Sequence, residues 1–303
     1  MPSNRLMDET MNTTENSKTN DDIPVLTTAS KVLLKPQPLT DKDFENGRRL
    51  TRQQLYGQSV DSDTNHSDLI NDKNLFEGDI VVKNRSNLVT RNAIRANSMK
   101  WRNGKIPYIL SNDYTDANRS LIARVFEEFH NKTCIRFVPK RWFHYSYLHI
   151  MPGVGCASLV GRVGGQQVVT LGDGCLTMGI IEHELLHAVG FWHEQSRADR
   201  DDYVRINWDN VEKGMEGNFI KFSWNDIQSL GVQYDYASIM HYGTHAFAKG
   251  FGSTLSPLRD VPTGVKIGQR VAMSESDIKK VNHLYDCNRD ARNDNLISAL
   301  LRL

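Results

Sequence analysis

The chain has 303 residues, with 37 basic and 36 acidic side chains and a formal charge of +1, which excludes a general attraction to nucleic acid or to an anionic membrane surface. Apolar residues make up 39% and aromatic residues 9%, enough for a substantial core, and no apolar run approaches the roughly 20 residues that span a bilayer. The four cysteines, Cys134, Cys156, Cys175 and Cys287, lie too far apart for a CxxC metal or redox motif. Two disulfides are their expected use, and sequence alone leaves the connectivity open.

Residues 1 to about 70 are rich in Asn, Asp, Thr, Ser and Lys and poor in aromatics, a composition that reads as flexible. The opening residues carry no apolar segment of a secretory signal. Export is therefore expected only from the cysteines and from Asn-x-Ser/Thr sequons at Asn12, Asn65, Asn84, Asn118 and Asn131. Apolar periodicity begins at Asn92, which puts a boundary near Arg91, and Trp101, Pro107, Tyr108 and Ile109 suggest a first strand.

From Asp116 to His130 the apolar positions Leu121, Ile122, Val125, Phe126 and Phe129 recur at helical spacing, with Arg124, Glu127 and Glu128 on the other face. Short strands are predicted over Cys134 to Val138, Tyr147 to Met151 and Gln166 to Leu171. A second helix should run from about Thr177 to Val189 and stop at Gly190. The interval from 195 to 273 reads as loop-rich. A last helix is expected from about Ser274 to Tyr285, with Ser274 as N-cap and Asp277 in the capping-box place.

Chemistry concentrates in His183-Glu-Leu-Leu-His187-Ala-Val-Gly190-Phe-Trp-His193-Glu194. Two histidines four apart project from one helical face and can grip one ion. An isolated HExxH also suits a buried helix with two core histidines, but Gly190 turns the chain back so that His193 can supply a third nitrogen. Three protein ligands leave a coordination position open to water, as in catalytic rather than structural zinc sites. Glu184 then stands where it can take that water's proton as a general base. The histidines at 66, 130, 144, 149, 245 and 283 have no such spacing and read as ordinary.

HELLHAVGFWHEQSR, followed by Tyr236-Ala-Ser-Ile-Met240-His241-Tyr242, resembles the astacin family of zinc metalloendopeptidases, in the metzincin clan. The likeness covers about Asn92 to Cys287 and extends to CIRFVP at 134 to 139 and DRDDYV at 199 to 204. It implies an α+β fold in two lobes. The first holds a twisted, mixed five-stranded sheet and two long helices; the second is mostly irregular with a terminal helix, and one zinc lies between them. Met240 would form a floor beneath the imidazoles, and Tyr242 would donate a hydrogen bond to the oxyanion of the reaction intermediate. Glu194, whose alternative is an ion pair with Arg197, would receive the new N-terminal ammonium after activation.

The same resemblance makes Phe76-Glu-Gly78-Asp79 a latency motif, with Asp79 as the blocking zinc ligand. A trypsin-like cleavage after Arg91 would free Asn92. It pairs Cys134 with Cys287 and Cys156 with Cys175, and makes the stretch after Cys156 an edge strand that binds extended peptides. The expected layout is a propeptide over 1–91, a catalytic domain over 92–287 and a short tail over 288–303, with no accessory module. The expected molecule is a secreted monomer acting on protein or peptide substrates. The rivals are a catalytically silent zinc-binding scaffold, opposed by intact Glu184 and Tyr242, and a cytosolic protein whose zinc is only structural, opposed by the absence of thiolates near the motif.

Overall fold

The computed structural model describes residues 35–57, 72–82 and 96–287. Upstream of the main sheet, Asp41–Arg48 forms α1 and Arg52–Tyr56 forms α2, each opened by a capping box, Thr40 with Asp43 and Thr51 with Gln54. The flexibility expected for residues 1 to 70 therefore does not hold for residues 41–56. Composition misses them because their burial comes from a partner. Arg48 pairs with Glu127, Arg119 pairs with Asp43, and the Leu39 amide donates to the Tyr108 hydroxyl.

The main sheet takes strands β1 (Lys105–Leu110), β2 (Arg136–Pro139), β3 (Tyr147–Met151), β4 (Cys156–Ala157) and β5 (Gln166–Leu171) in the order β2-β1-β3-β5-β4. All neighbours are parallel except β4 against β5. The first two strands start later than their apolar residues suggest. A 3-10 turn at Arg102–Gly104 precedes β1, and Thr133 ends the helix that precedes β2 by bonding back to Phe129. On this sheet lies α3 (Asp116–Lys132), whose Leu121, Ile122, Val125, Phe126 and Phe129 are buried. Phe126 stacks on Phe137 at 4.1 Å and meets Tyr108 edge-on at 4.9 Å. The charged face of α3 carries Arg124, Glu127, Glu128 and Lys132 in ion pairs.

Helix α4 (Met178–Val189) is buried along its whole length. Beyond it the chain is largely irregular, with only a short antiparallel pair, β6 (Val204–Ile206) with β7 (Leu255–Pro257), and several 3-10 turns. A second apolar cluster holds this part together around Phe219, Tyr234, Tyr236, Tyr242 and Phe247. The terminal helix α5 (Glu275–Leu284) begins at the Ser274 and Asp277 capping box. This is the α+β architecture with a mixed five-stranded sheet, two long helices and a terminal helix. Disulfides join Cys134 to Cys287 and Cys156 to Cys175. Among the described residues no helix is long and apolar enough to cross a membrane. The tail over 288–303 lies outside the described residues, as do Arg91 and Asn92.

Candidate active site

His183 and His187 stand one turn apart on α4 and so face the same way. The helix ends at Gly190, whose φ of 132° is a conformation that side-chain-bearing residues rarely adopt. The reversal has two effects: it brings the Phe191 carbonyl to accept from His187 Nδ1 at 2.7 Å, and it carries the chain round to His193. His183 Nδ1 donates to the Ile239 carbonyl at 2.8 Å. That carbonyl is itself anchored, because Ile239 N and Ser238 Oγ both donate to Asp277 at the start of α5, at 2.9 and 2.6 Å. With Nδ1 of both residues occupied as a donor, each Nε2 presents a lone pair inward.

The third histidine is held differently. His193 Nδ1 lies 2.7 Å from Glu77 Oε2, and Glu77 belongs to the segment upstream of the catalytic region. The same segment delivers Asp79, whose Oδ2 stands 2.9 Å from His183 Nε2 and 3.2 Å from His193 Nε2, with Oδ1 3.4 Å from His187 Nε2. One ligand atom from each of these four buried residues falls within 4.8 Å of the others.

The residues fit a zinc ion. Among the described residues Asp79 Oδ1 and His187 Nε2 are buried without a hydrogen-bond partner, an arrangement that is costly unless a cation satisfies both. Three imidazoles without a thiolate are the protein ligands of a catalytic site when the fourth position is open, and here Asp79 stands at that position. His183, His187 and His193 would hold the ion with Asp79 as the fourth ligand.

The electrostatics agree. Burial opposes ionisation of Asp79, but His193 and His187 hold its carboxyl well below the usual range. Burial, and then the Arg270 guanidinium, keep His183 neutral by pushing it well down. Against burial, Asp79 and then Glu77 raise His193 to about 9, and a metal ion at Nε2 takes the place of that proton. Glu184 is fully buried, and among the described residues neither of its oxygens has a hydrogen-bond partner. Desolvation and then the Asp79 charge push its pKa well up.

Met240 is buried in the main core, and its carbonyl accepts from the Glu194 amide at 3.0 Å. Tyr242 lies with its ring centroid 4.7 Å from that of His193, and its hydroxyl donates to the Glu77 carbonyl at 2.7 Å. Glu194 is not a surface partner of Arg197, which stands 3.7 Å away; it is buried against Lys280 Nζ at 2.5 Å and accepts from the Asp235 amide at 2.9 Å. Its other expected partner, the amino group of Asn92, lies outside the described residues. At the edge of the sheet, Ser158 beyond β4 pairs in parallel with Ile80: Val81 N donates to Ser158 O and Ser158 N to Asp79 O. The upstream segment thus occupies the edge at which the resemblance puts a bound peptide.

Sequence reasoning missed Glu77, Lys280 and Arg270. Arg270 is a buried guanidinium, lowered by burial to about 10, that donates to the His241 carbonyl at 3.0 Å. A lone arginine in a loop-rich stretch carries no periodicity. Glu77 was within reach, since it sits inside the FEGD motif.

The family model for the astacin peptidases matches residues 93–286. Zinc metalloproteinase nas-13 of Caenorhabditis elegans is 54% identical over 199 residues, which cover 66% of this chain and 44% of that protein. Zinc metalloproteinase nas-15 of the same organism is 44% identical over 265 residues, 82% of this chain and 46% of that protein. The chain thus spans less than half the length of either relative. Among solved structures, High choriolytic enzyme 1, a hatching enzyme zinc-protease from Oryzias latipes, matches with a TM-score of 0.57 at 41% identity, over 68% of this chain and 98% of that one. With the ligand set, the fold and these matches in agreement, the chain belongs to the astacin family of zinc metalloendopeptidases.

Proposed function

We infer that this chain is a secreted zinc endopeptidase, made latent, that hydrolyses internal bonds of protein substrates. One observation carries the reading: the Asp79 carboxylate stands among the Nε2 atoms of His183, His187 and His193, in the place an attacking water must occupy. Zinc, when bound, supplies Lewis acidity at that position. Glu184 takes the proton of the attacking water and passes it to the leaving amine. Once Glu77 departs, the Tyr242 hydroxyl loses its carbonyl partner and becomes free to donate to the oxygen on which negative charge develops. Met240 packs beneath the ligands.

Activation is a trypsin-like cleavage between Arg91 and Asn92 that removes Asp79 and the segment bridged to the sheet edge at Ser158. The vacated edge then takes an extended peptide by backbone pairing. The new ammonium of Asn92 joins Glu194. The two disulfides and the sequons at Asn118 and Asn131 support an extracellular setting, and the molecule acts as a monomer without nucleic acid.

The test is cleavage-site profiling of a peptide library by material cut at Arg91, with and without a chelator. Glu184→Gln is expected to keep stoichiometric zinc yet lose nearly all hydrolysis; substantial residual turnover would overturn the base assignment, and an inactive parent would leave a silent scaffold. Asp79→Ala is expected to give the uncleaved chain measurable activity. Silence of that variant would overturn the latency reading.

A further inference from the structure

Of the three imidazoles, two are oriented by backbone carbonyls of the catalytic region itself, Ile239 O and Phe191 O. The third, His193, is oriented by a side chain of the upstream segment, at 2.7 Å. Removing that segment leaves the first two arrangements intact and takes away the third. The asymmetry gives Glu77 a part that Asp79 does not play.

Glu77 is built into its place. It is fully buried, and each of its polar atoms is engaged: N donates to Asn218 Oδ1 at 2.9 Å, O accepts from Tyr242 Oη at 2.7 Å, Oε1 accepts from Ser196 Oγ at 2.6 Å and Oε2 faces His193 Nδ1. Its φ is 49°, followed by 85° at Gly78. A glutamate persists in that left-handed region only where its surroundings over-determine it. Here the four contacts do so, and the turn they enforce aims Asp79 at the ligand atoms.

We propose that Glu77 is a second lock of the latent state: its carboxylate backs His193, ties down Tyr242 through the adjoining carbonyl, and makes the uncleaved chain hold zinc more tightly than Asp79 alone would. A carboxylate on the far nitrogen of a ligating imidazole fixes the ring and makes the ligating nitrogen more basic, and such partners change metal affinity about 10- to 100-fold. Activation therefore withdraws two carboxylates at once, one from the ligand set and one from behind it. The inference rests on the latency reading above.

Glu77 lies upstream of the cleavage point, so cutting wild-type and variant chains gives the same mature polypeptide. The experiment follows zinc transfer from the zinc-loaded, uncleaved full chain to a chromogenic chelator. Glu77→Gln, which keeps the shape and removes the charge, is expected to release zinc about tenfold faster than wild type, and Glu77→Ala faster still. After cleavage the release rates and kcat/KM of all three should coincide. Equal release rates before cleavage overturn the proposal, and so does a difference that survives cleavage, since it marks misfolding rather than a lost contact. If Asp79→Ala stays silent uncleaved while Glu77→Gln still releases zinc faster, the latency reading fails and the role of Glu77 in holding the metal stands.

Discussion

The sheet with α3 and α4 and the stretch from Glu194 to Met273 are stabilised by different means. The first is a layered core of aliphatic and phenyl side chains, with Phe126, Phe129, Ile122, Leu148 and Ile150 fully buried and the backbone satisfied by ladders and helices. The second has few ladders; side chains close its backbone instead, as when Arg200 donates to Gln195 O and Phe219 O, Thr254 to Ala246 O, and Asn207 and Asn210 to Ser253 O. Packing and ladders together make the first half hard to deform, while the second has a smaller apolar cluster of its own and leaves its backbone to individual side-chain hydrogen bonds. The site uses both: two ligands come from the rigid helix, and the carbonyl that orients His183 from behind, Ile239 O, comes from the irregular half.

The sharpest way to break this contrast is to weaken each half in turn and ask whether zinc notices. Phe126→Ala empties a space between Tyr108 and Phe137 and is expected to cost about 3 to 5 kcal/mol in denaturant unfolding, with zinc release from the folded chain unchanged. Asp277→Ala removes the acceptor of Ser238 Oγ, Ile239 N and Ser274 N and is expected to cost about 2 to 3 kcal/mol, because buried donors are left unpaired. This smaller loss should nevertheless speed zinc transfer to a chelator, since Ile239 O orients His183. If Phe126→Ala loosens zinc as much as Asp277→Ala, the division between the halves is wrong.

The smallest effect is one of pH. His130 accepts from the Phe137 amide at 3.0 Å, and burial, then Arg136, lowers its pKa from 6.5 to about 4. The fold favours the neutral ring, so its contribution is complete above pH 6.5 and is lost as pH falls from 6.5 toward 4. His130→Gln should show a smaller drop in Tm between about pH 7.5 and about pH 5 than wild type. An equal drop would place the acid sensitivity elsewhere.

The two halves also differ in how legible they are. In the first, burial repeats with the period of the element, so α3 shows in the spacing of Leu121, Val125 and Phe129, and α4 in its motif and terminal glycine. In the second, long-range pairs such as Asp277 with Ile239 or Lys280 with Glu194 leave no periodic trace, and only the family likeness singles out Met240 and Tyr242. Residues 41–56 fail for another reason. Their polar composition argues against structure, yet two capping boxes, written as Thr40 to Asp43 and Thr51 to Gln54, were there to be read. At the metal site the three histidines are local in sequence and plain; Glu77 lies inside the readable FEGD motif, but its contact with His193, 116 residues away, leaves no trace in the sequence.

The bridge between Cys134 and Cys287 encloses both α4 and the entire irregular stretch in one covalent ring. A single nick anywhere inside that ring yields two fragments that stay attached. A cut in an exposed loop can therefore leave the three histidines on one joined framework, a break that only a reducing gel would reveal.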